Sequence, residues 1–435
     1  MLQHPLRTLR PAFTTIRTVL VALALVLGVG AAGVSFAQPA AAASLPSYLQ
    51  TYQYASQFGG PGTGNGQFDY LTQITFGPNG HLYAADTHNA RIQEFMTDGM
   101  FMDIIGVASP PDWGGGHVGF DQPQGIAVSA DHVWAVDYSY GLAWFGPTGT
   151  WQGMSLGPNA PADTFSLPQG AGVDSGGNVY VADGSNARVL KYDASGAYVC
   201  QITNTALLNP VAVGVNASGT VYVADSIGSD ILRFAPTSPA ATAYTLTATW
   251  SAGGLSSPSS IALDAAGDVF TGDTGLGEAG QVVKLSPSGK LLARWGSAGA
   301  GDGQFTYLLG VAVDPATGDA YVGDRDADRI QSFHLLDQGP KTYASANLVV
   351  KKGKAVTFKY GVAEDVSAKA SAWIRVTKGA AGKGTVNLGS VQCGSWLTKK
   401  WTCKLAKGSY RWSVYATDQG GNPQVLVGSK ALTVK

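Results

Sequence analysis

Apolar positions along this chain come in short runs rich in Val, Ile, Ala, Tyr and Phe, each bounded by Gly, Asp, Asn or Ser. Runs of about four to six residues punctuated in this way predict strands joined by tight turns, not helices. A first strand reads "QGIAVS", "QGAGVD", "VAVGVN", "SSIALD" and "LGVAVD", followed by turns such as "GPNG", "DSGG", "NASG" and "DAAG". A second strand carries an aromatic residue and ends in aspartate. A third reads "ARIQEF", "ARVLKY", "DILRF", "QVVKL" and "DRIQSF", and turns such as "TDGM", "DASG" and "SPSG" lead to a fourth.

The second strand fixes the period. Its aspartate recurs as Asp86, Asp137, Asp183, Asp225, Asp273 and Asp324, at intervals of 51, 46, 42, 48 and 51 residues. A period in the forties made of four strands is the mark of propeller blades. The fold expected is therefore all-β, a six-bladed β-propeller. The sixth unit lacks a fourth strand, because "HLLDQGPKTY" leads away from it. Tyr52–Gly59, an orphan strand ahead of the first unit, is expected to complete it, closing the ring and leaving only short edges.

Two glycine-rich stretches, "FGGPGTGNGQF" (Phe58–Phe68) and "WGSAGAGDGQF" (Trp295–Phe305), invite a phosphate-cradle reading. Neither carries the Lys-Ser/Thr of a P-loop, opens a helix, or holds the spaced aspartates of a calcium-binding nonapeptide repeat. Each runs from a fourth strand to the next first strand, where glycine supplies the positive φ that such a crossing needs.

The unit "GNGQFDYLTQITFGPNGHLYAADTHNARIQEFMTDGMFMDIIG" resembles the NHL repeat: G-x-G-x-F, an apolar strand, G-N-x-Y-V-A-D, N-x-R-I and D-x-x-G. Residues 165–203 and 301–334 match well. The units ending at Asp225 and Asp273 match in their first halves, and the unit at Asp137 has "YSYGLAWF" where Asn-x-Arg-Ile would stand. The resemblance covers roughly residues 52–337. It implies a six-bladed propeller but does not name an activity, since that fold serves binding scaffolds and lyases alike.

Composition divides the chain. Arg7, Arg10 and Arg17 precede "TVLVALALVLGVGAAGVSFA" and "QPAAAAS", the pattern of a bacterial-type export signal, cleaved after Ala37 or Ala43 or retained as an anchor. Residues 44–339 hold 9 Lys+Arg against 26 Asp+Glu, net −17, whereas residues 340–435 hold 16 against 3, net +13. The expected domains are a signal over 1–43, the propeller over 44–339 and a basic β-sandwich over 340–435. "GSYRWSVYATDQGGNPQ" resembles the closing strands of bacterial immunoglobulin-like domains. Cys393 and Cys403 flank "GSWLTKKWT", read as a hairpin, and in an exported protein they are expected to form a disulfide. Cys200 is expected to be a buried thiol.

The ring aspartates read as structural. An aspartate ending a strand can accept N–H bonds from the turn that follows, and Arg91, Arg188 and Arg329, each five residues on, can pair with it. "DRDADR" (Asp324–Arg329) has the opening spacing of an EF-hand loop but lacks its sixth-position Gly and distal Glu, so calcium is not expected. Loops alternate between faces, which puts the turn between second and third strands beside the glycine-rich connectors. On that face the ligand candidates are His88, Asn89, Tyr138, Tyr140, Asn186, Arg325 and Asp326, with Trp113 and His117 from a long connector.

No HxH, HExxH, nucleophile elbow or Ser-His-Asp pattern is present, so no cofactor, metal or catalytic residue is expected. A net −17 opposes nucleic-acid binding. The expected function is an exported binding or scaffold protein for a protein, peptide or glycan at the cell envelope. Its lysine-rich tail would contact an anionic envelope polymer or acidic membrane, or dock on the acidic propeller. The alternative is a secreted lyase or hydrolase, amidating-lyase-like or streptogramin-lyase-like, with a metal at the propeller axis.

Overall fold

Six four-stranded antiparallel sheets account for the first part of the chain in this computed structural model. The residues described are 49–106, 120–139, 141–158, 163–238, 242–251, 254–275, 280–336, 338–364, 369–419 and 421–435. Five sheets are simple meanders, running from Leu71–Phe76 to Phe101–Ile105, Pro123–Val128 to Trp151–Ser155, Pro168–Val173 to Tyr198–Thr203, Pro210–Val215 to Tyr244–Trp250, and Ala262–Leu263 to Leu291–Trp295. The sixth takes Leu308–Val313, Ala320–Asp324 and Arg329–Leu336, and its outermost strand is Thr51–Gly59 from the other end of the ring. Gly59 pairs with Arg329 and Thr51 with Leu336, so the edge left by the third strand is sealed along its length.

The strands leading each sheet touch one another in cyclic order, the sixth returning to the first. Each apolar cluster of the ring likewise spans two neighbouring sheets: Ile92 and Ile105 meet Ile126 and Phe145, Trp134 meets Leu190, and Phe270 meets Phe305 and Val322. The closing cluster packs Phe68 and Phe95 of the first sheet against Ile330 and Tyr321 of the sixth. No sheet holds a core of its own, because each needs both neighbours to cover its two apolar faces. This is the arrangement of a β-propeller.

Apart from a short parallel pair, Ser297–Ala298 with Gln304–Phe305, the remaining strands form a sandwich of three and five strands. Val356, Phe358, Tyr360 and Val362 of Ala355–Ala363 alternate inward and meet Ile374, Val376, Trp412, Val414 and Leu432 of the larger sheet. The two cysteines correct the expected disulfide. "WLTKKWT" is a single strand, Trp396–Thr402, not a hairpin, and it pairs along Ala355–Ala363 from Gly361↔Trp396 to Ala355↔Thr402. Cys393 and Cys403 therefore stand beyond its opposite ends, about 20 Å or more apart at ~3.3 Å per residue, whereas a disulfide needs Cα atoms within about 7 Å. Neither is in a disulfide, nor is Cys200, which is only half-buried. Burial pushes the Cys393 thiol up to about 11.

No helix among the described residues is long and apolar enough to cross a membrane. Residues 1–43, the expected export signal, lie outside them.

Candidate functional site

The glycine-rich connectors are built as one device used twice. Gly62 N–H donates to Phe68 O and Gly299 N–H to Phe305 O, at 2.9 and 3.1 Å. Gly64 and Gly301 donate to the side chains of Gln67 and Gln304, and Gly66 and Gly303 to those of Gln93 and Gln331. At Gly62 (φ 149°) and Gly299 (φ 139°) an added Cβ would collide with those same glutamines, so only glycine serves there. All of these polar groups are spent inside the loops, which are connectors.

The ring aspartates latch those connectors to the sheets. Asp86 Oδ1 accepts from Asp69 N at 2.8 Å, Asp183 from Ser166 N at 2.7 Å, and Asp324 from Tyr307 N at 2.9 Å. Asp137, Asp225 and Asp273 accept from Gln122, Leu208 and Ser257 in the same way. The principal donors thus precede the aspartate by 15 to 18 residues, although the following turn contributes at Ser139 and Gly228. Arg91 and Arg188 close the latch at 2.7 Å and Arg329 at 3.2 Å. The second sheet has Gly141 at this place and the fifth has Gln281, with Arg294 at 3.7 Å from Asp273. The fourth has Asp230, an acid opposite Asp225, with a buried Oδ1 that lacks a hydrogen-bond partner. Burial, then the Asp225 charge, pushes the Asp230 carboxyl up to about 6.

Each turn between second and third strands donates a backbone N–H to its connector: His88 to Asp69, Tyr138 to Gln122, Ser185 to Ser166, Ser226 to Asn209, Thr274 to Ser257 and Arg325 to Tyr307. The turns and connectors therefore form one face around the axis. Where first and sixth sheets meet, Arg325 is clasped by tyrosines. Its Cζ lies 3.7 Å from the Tyr307 ring centroid and 4.6 Å from that of Tyr70, and Nη1 donates to Tyr70 Oη at 3.0 Å. Nε donates to Asp326 at 2.6 Å. His88 stacks on Tyr70 at 4.4 Å, with Nδ1 3.0 Å from Asp69 Oδ1. Tyr70 holds φ 64°, a strained left-handed conformation, while its N–H donates to Asp328 across the sheet boundary. Further round the same face stand exposed apolar side chains: Tyr138, Leu167, Leu208 (51% exposed) and Ile227 (67%).

Of the candidates read from sequence, His88, Arg325 and Asp326 share this cluster and Tyr138 stands exposed on the face. Asn89 and Asn186 are turned inward, donating to Asp86 and Gly62 O and to Asp183 and Thr164 O. Tyr140, Trp113 and His117 lie outside the described residues. Sequence reading passed over Tyr70, Tyr307, Leu167 and Leu208. Tyr70, Leu167 and Tyr307 are the last residues before a first strand and Leu208 is the last but one, a place where a large side chain in a polar turn is itself a signal. The aspartates of "DRDADR" serve different partners: Asp324 latches its connector, Asp326 holds Arg325, and Asp328 accepts from Tyr70. Among the described residues, no three His, Cys, Asp or Glu side chains are grouped to hold a metal.

The axis is divided. On the connector face a cavity of about 40 Å³ is lined by Thr72, Gln124, Gln169, Ser259 and Leu309. On the other face a cavity of about 310 Å³ is lined by Thr75, Val128, Val173, Val215, Leu263 and Val313, with no titratable side chain. Gln73 lies between them: its Nε2 donates to Ala171 O at 3.1 Å, and its Oε1 accepts from Ile126 N at 2.9 Å and Ala171 N at 3.3 Å.

The third sheet decides what the repeat resembles. Residues 165–192 match the NHL repeat. That segment is the stretch running through Pro168–Val173, Val179–Asp183 and Arg188–Tyr192, so the NHL match carries the Asp183–Arg188 latch. No curated protein matches the chain in sequence. Among solved structures, an inactive virginiamycin B lyase variant from Staphylococcus aureus with quinupristin is 14% identical, covering 63% of this chain and 83% of that one at TM-score 0.44. A streptogramin B lyase is 13% identical over 62% and 94%, at TM-score 0.45. The extracellular domain of a protein described as a one-component system from B. thetaiotaomicron is 14% identical over 84% and 50%, at TM-score 0.41. The fold stands on the sheet order and ring closure of this chain itself.

Proposed function

We propose that this chain is an exported, six-bladed NHL-type propeller that binds a peptide segment or protein loop across its connector face at the cell envelope. The propeller spans residues 44–339 and is joined to an immunoglobulin-like sandwich over 340–435. The observation that carries the reading is the composition of that face: Arg325 held against the rings of Tyr70 and Tyr307, on the same face as exposed Tyr138, Leu167, Leu208 and Ile227. Tyr and Arg held rigid are the side chains that anchor protein interfaces. Exposed Leu and Ile match apolar side chains, whereas a glycan would leave them facing hydroxyl groups. On the connector side the axial mouth above Gln73, about 40 Å³, is far below the ~300 Å³ or more that buries a small molecule, so a ligand on this side would lie across the face.

The test is a peptide-display selection on residues 44–435, followed by affinity measurement on variants. Peptides bound by the wild type are expected to lose at least about tenfold in affinity to Leu208→Asp/Ile227→Asp and to Arg325→Ala. They should bind unchanged to Thr317→Asp, on the opposite face. Equal affinity across all three variants would contradict the reading.

A second reading, a lyase or hydrolase on the same face, draws on the His88–Asp69 contact, which fixes one imidazole nitrogen and leaves the other to act on a substrate. It requires turnover that His88→Gln abolishes; the binding reading expects that variant to keep its peptide affinity within about threefold.

A further inference from the structure

Seven of the fourteen lysines in the carboxy-terminal sandwich meet at one end. Lys351, Lys352 and Lys354, all exposed, occupy the turn before Ala355–Ala363. Lys404 and Lys407 occupy the loop between Trp396–Thr402 and Gly408–Thr417. The two loops are bonded together, Gly353 N–H to Cys403 O at 2.7 Å and Cys403 N–H to Lys354 O at 3.0 Å. Lys378 and Lys383 flank the turn of a third loop, between Lys369–Lys378 and Ala381–Gln392. That loop reaches the same end, since Lys378 Nζ lies over the Tyr410 ring at 5.9 Å beside Gly408.

The acids sit at the other end. Glu364 follows Ala363, and Asp418 follows Thr417. The chain also enters the sandwich there, where Lys341 pairs with Ala363 and Val425 N–H donates to Pro340 O. Ala355–Ala363 separates the two ends by about 26 Å or more at ~3.3 Å per residue. That is roughly three Debye lengths at physiological salt. The lysine pole is therefore the end of the sandwich opposite its junction with the acidic ring.

We propose that this lysine pole is a docking surface for an anionic lipid bilayer. Three loops that end a sandwich together present charge across an area, the form that a planar surface meets, whereas a linear polymer would be tracked by a groove or stripe. Lysine is the residue of diffuse attraction rather than bidentate recognition. Each lysine brought near an anionic leaflet adds to binding, and the effect fades with salt. This goes beyond the peptide-binding reading of the ring and does not depend on it.

The experiment is co-sedimentation of residues 44–435, the compact unit without the leader, with vesicles of phosphatidylcholine containing roughly one-third phosphatidylglycerol. Binding is expected with these vesicles, absent with phosphatidylcholine alone, and lost at about 0.5 M NaCl. Lys352→Glu/Lys404→Glu, at the pole, should weaken binding on the order of tenfold or more. Lys369→Glu/Lys430→Glu makes the same charge change away from the pole, at the far end and at mid-sheet opposite Trp412, and should leave most of the binding. Three results would each overturn the proposal: no binding to anionic vesicles, equal loss in both variants, or soluble polyphosphate bound more tightly than vesicles with the same dependence on the pole. None of these substitutions lies on the connector face, so peptide binding by the ring is unaffected by any of these outcomes.

Discussion

Asp86 has no exposed surface, yet both its carboxylate oxygens are occupied, by Asp69 N–H on one side and by Arg91, Gln93 and Asn89 on the other. Removing it strands a buried guanidinium and several donors together. Asp86→Ala is therefore expected to cost about 3–5 kcal/mol, read as a shifted midpoint in chemical denaturation. Asp230 shows the reverse case, since it puts a second acid where the first, third and sixth sheets place arginine. Its carboxyl, at about 6 in the folded protein, holds its proton more tightly than an unfolded aspartate near 3.9. Folding is thus opposed by Asp230 above pH 6, and the penalty fades as pH falls from about 6 towards 4. Asp230→Asn is expected to raise Tm by a few degrees at pH 8, about 1–2 kcal/mol after allowing for partial exposure, and to leave it unchanged at pH 4. A gain independent of pH, in melts at the two values, would refute this account of Asp230.

At the scale of elements, strands that recur with a period announce themselves, and so does the gap in the sixth unit that Thr51–Gly59 fills. Deleting residues 49–59 bares the edge of Arg329–Leu336 and one flank of Phe68 and Phe333. The expected result is aggregation in size-exclusion chromatography rather than a folded monomer. The candidate site was legible only in part, for a physical reason: Tyr70 and Arg325 lie 255 residues apart and meet only because the ring closes. Latch donors were misplaced for a related reason, since an aspartate reaches back across its sheet to the connector as readily as forward into its own turn. The cysteines failed differently. "GSWLTKKWT" has turn-like flanks, but Trp396, Thr398 and Lys400 alternate with residues on the inner side, and a paired strand holds Cys393 and Cys403 apart. Titration of the unfolded, unreduced chain should find three thiols; a single thiol would restore the disulfide.

The whole molecule has two working ends of opposite character. The ring carries net −17 and offers an apolar and aromatic face around a mouth that Gln73 closes, while the sandwich carries net +13, with seven of its fourteen lysines at one pole. Closure of the ring also gives the connector face its rigidity, since every apolar cluster beneath it is shared by two sheets. The most direct test of the binding claim is hydrogen–deuterium exchange on residues 44–435 with and without a selected peptide. Protection is expected in the connectors and turns around Tyr70, Tyr138, Leu167, Leu208, Ile227 and Tyr307. Protection instead at the opposite turns, around Asn79, Gly177 and Gly318, or consumption of the peptide during the measurement, would contradict a binding face there.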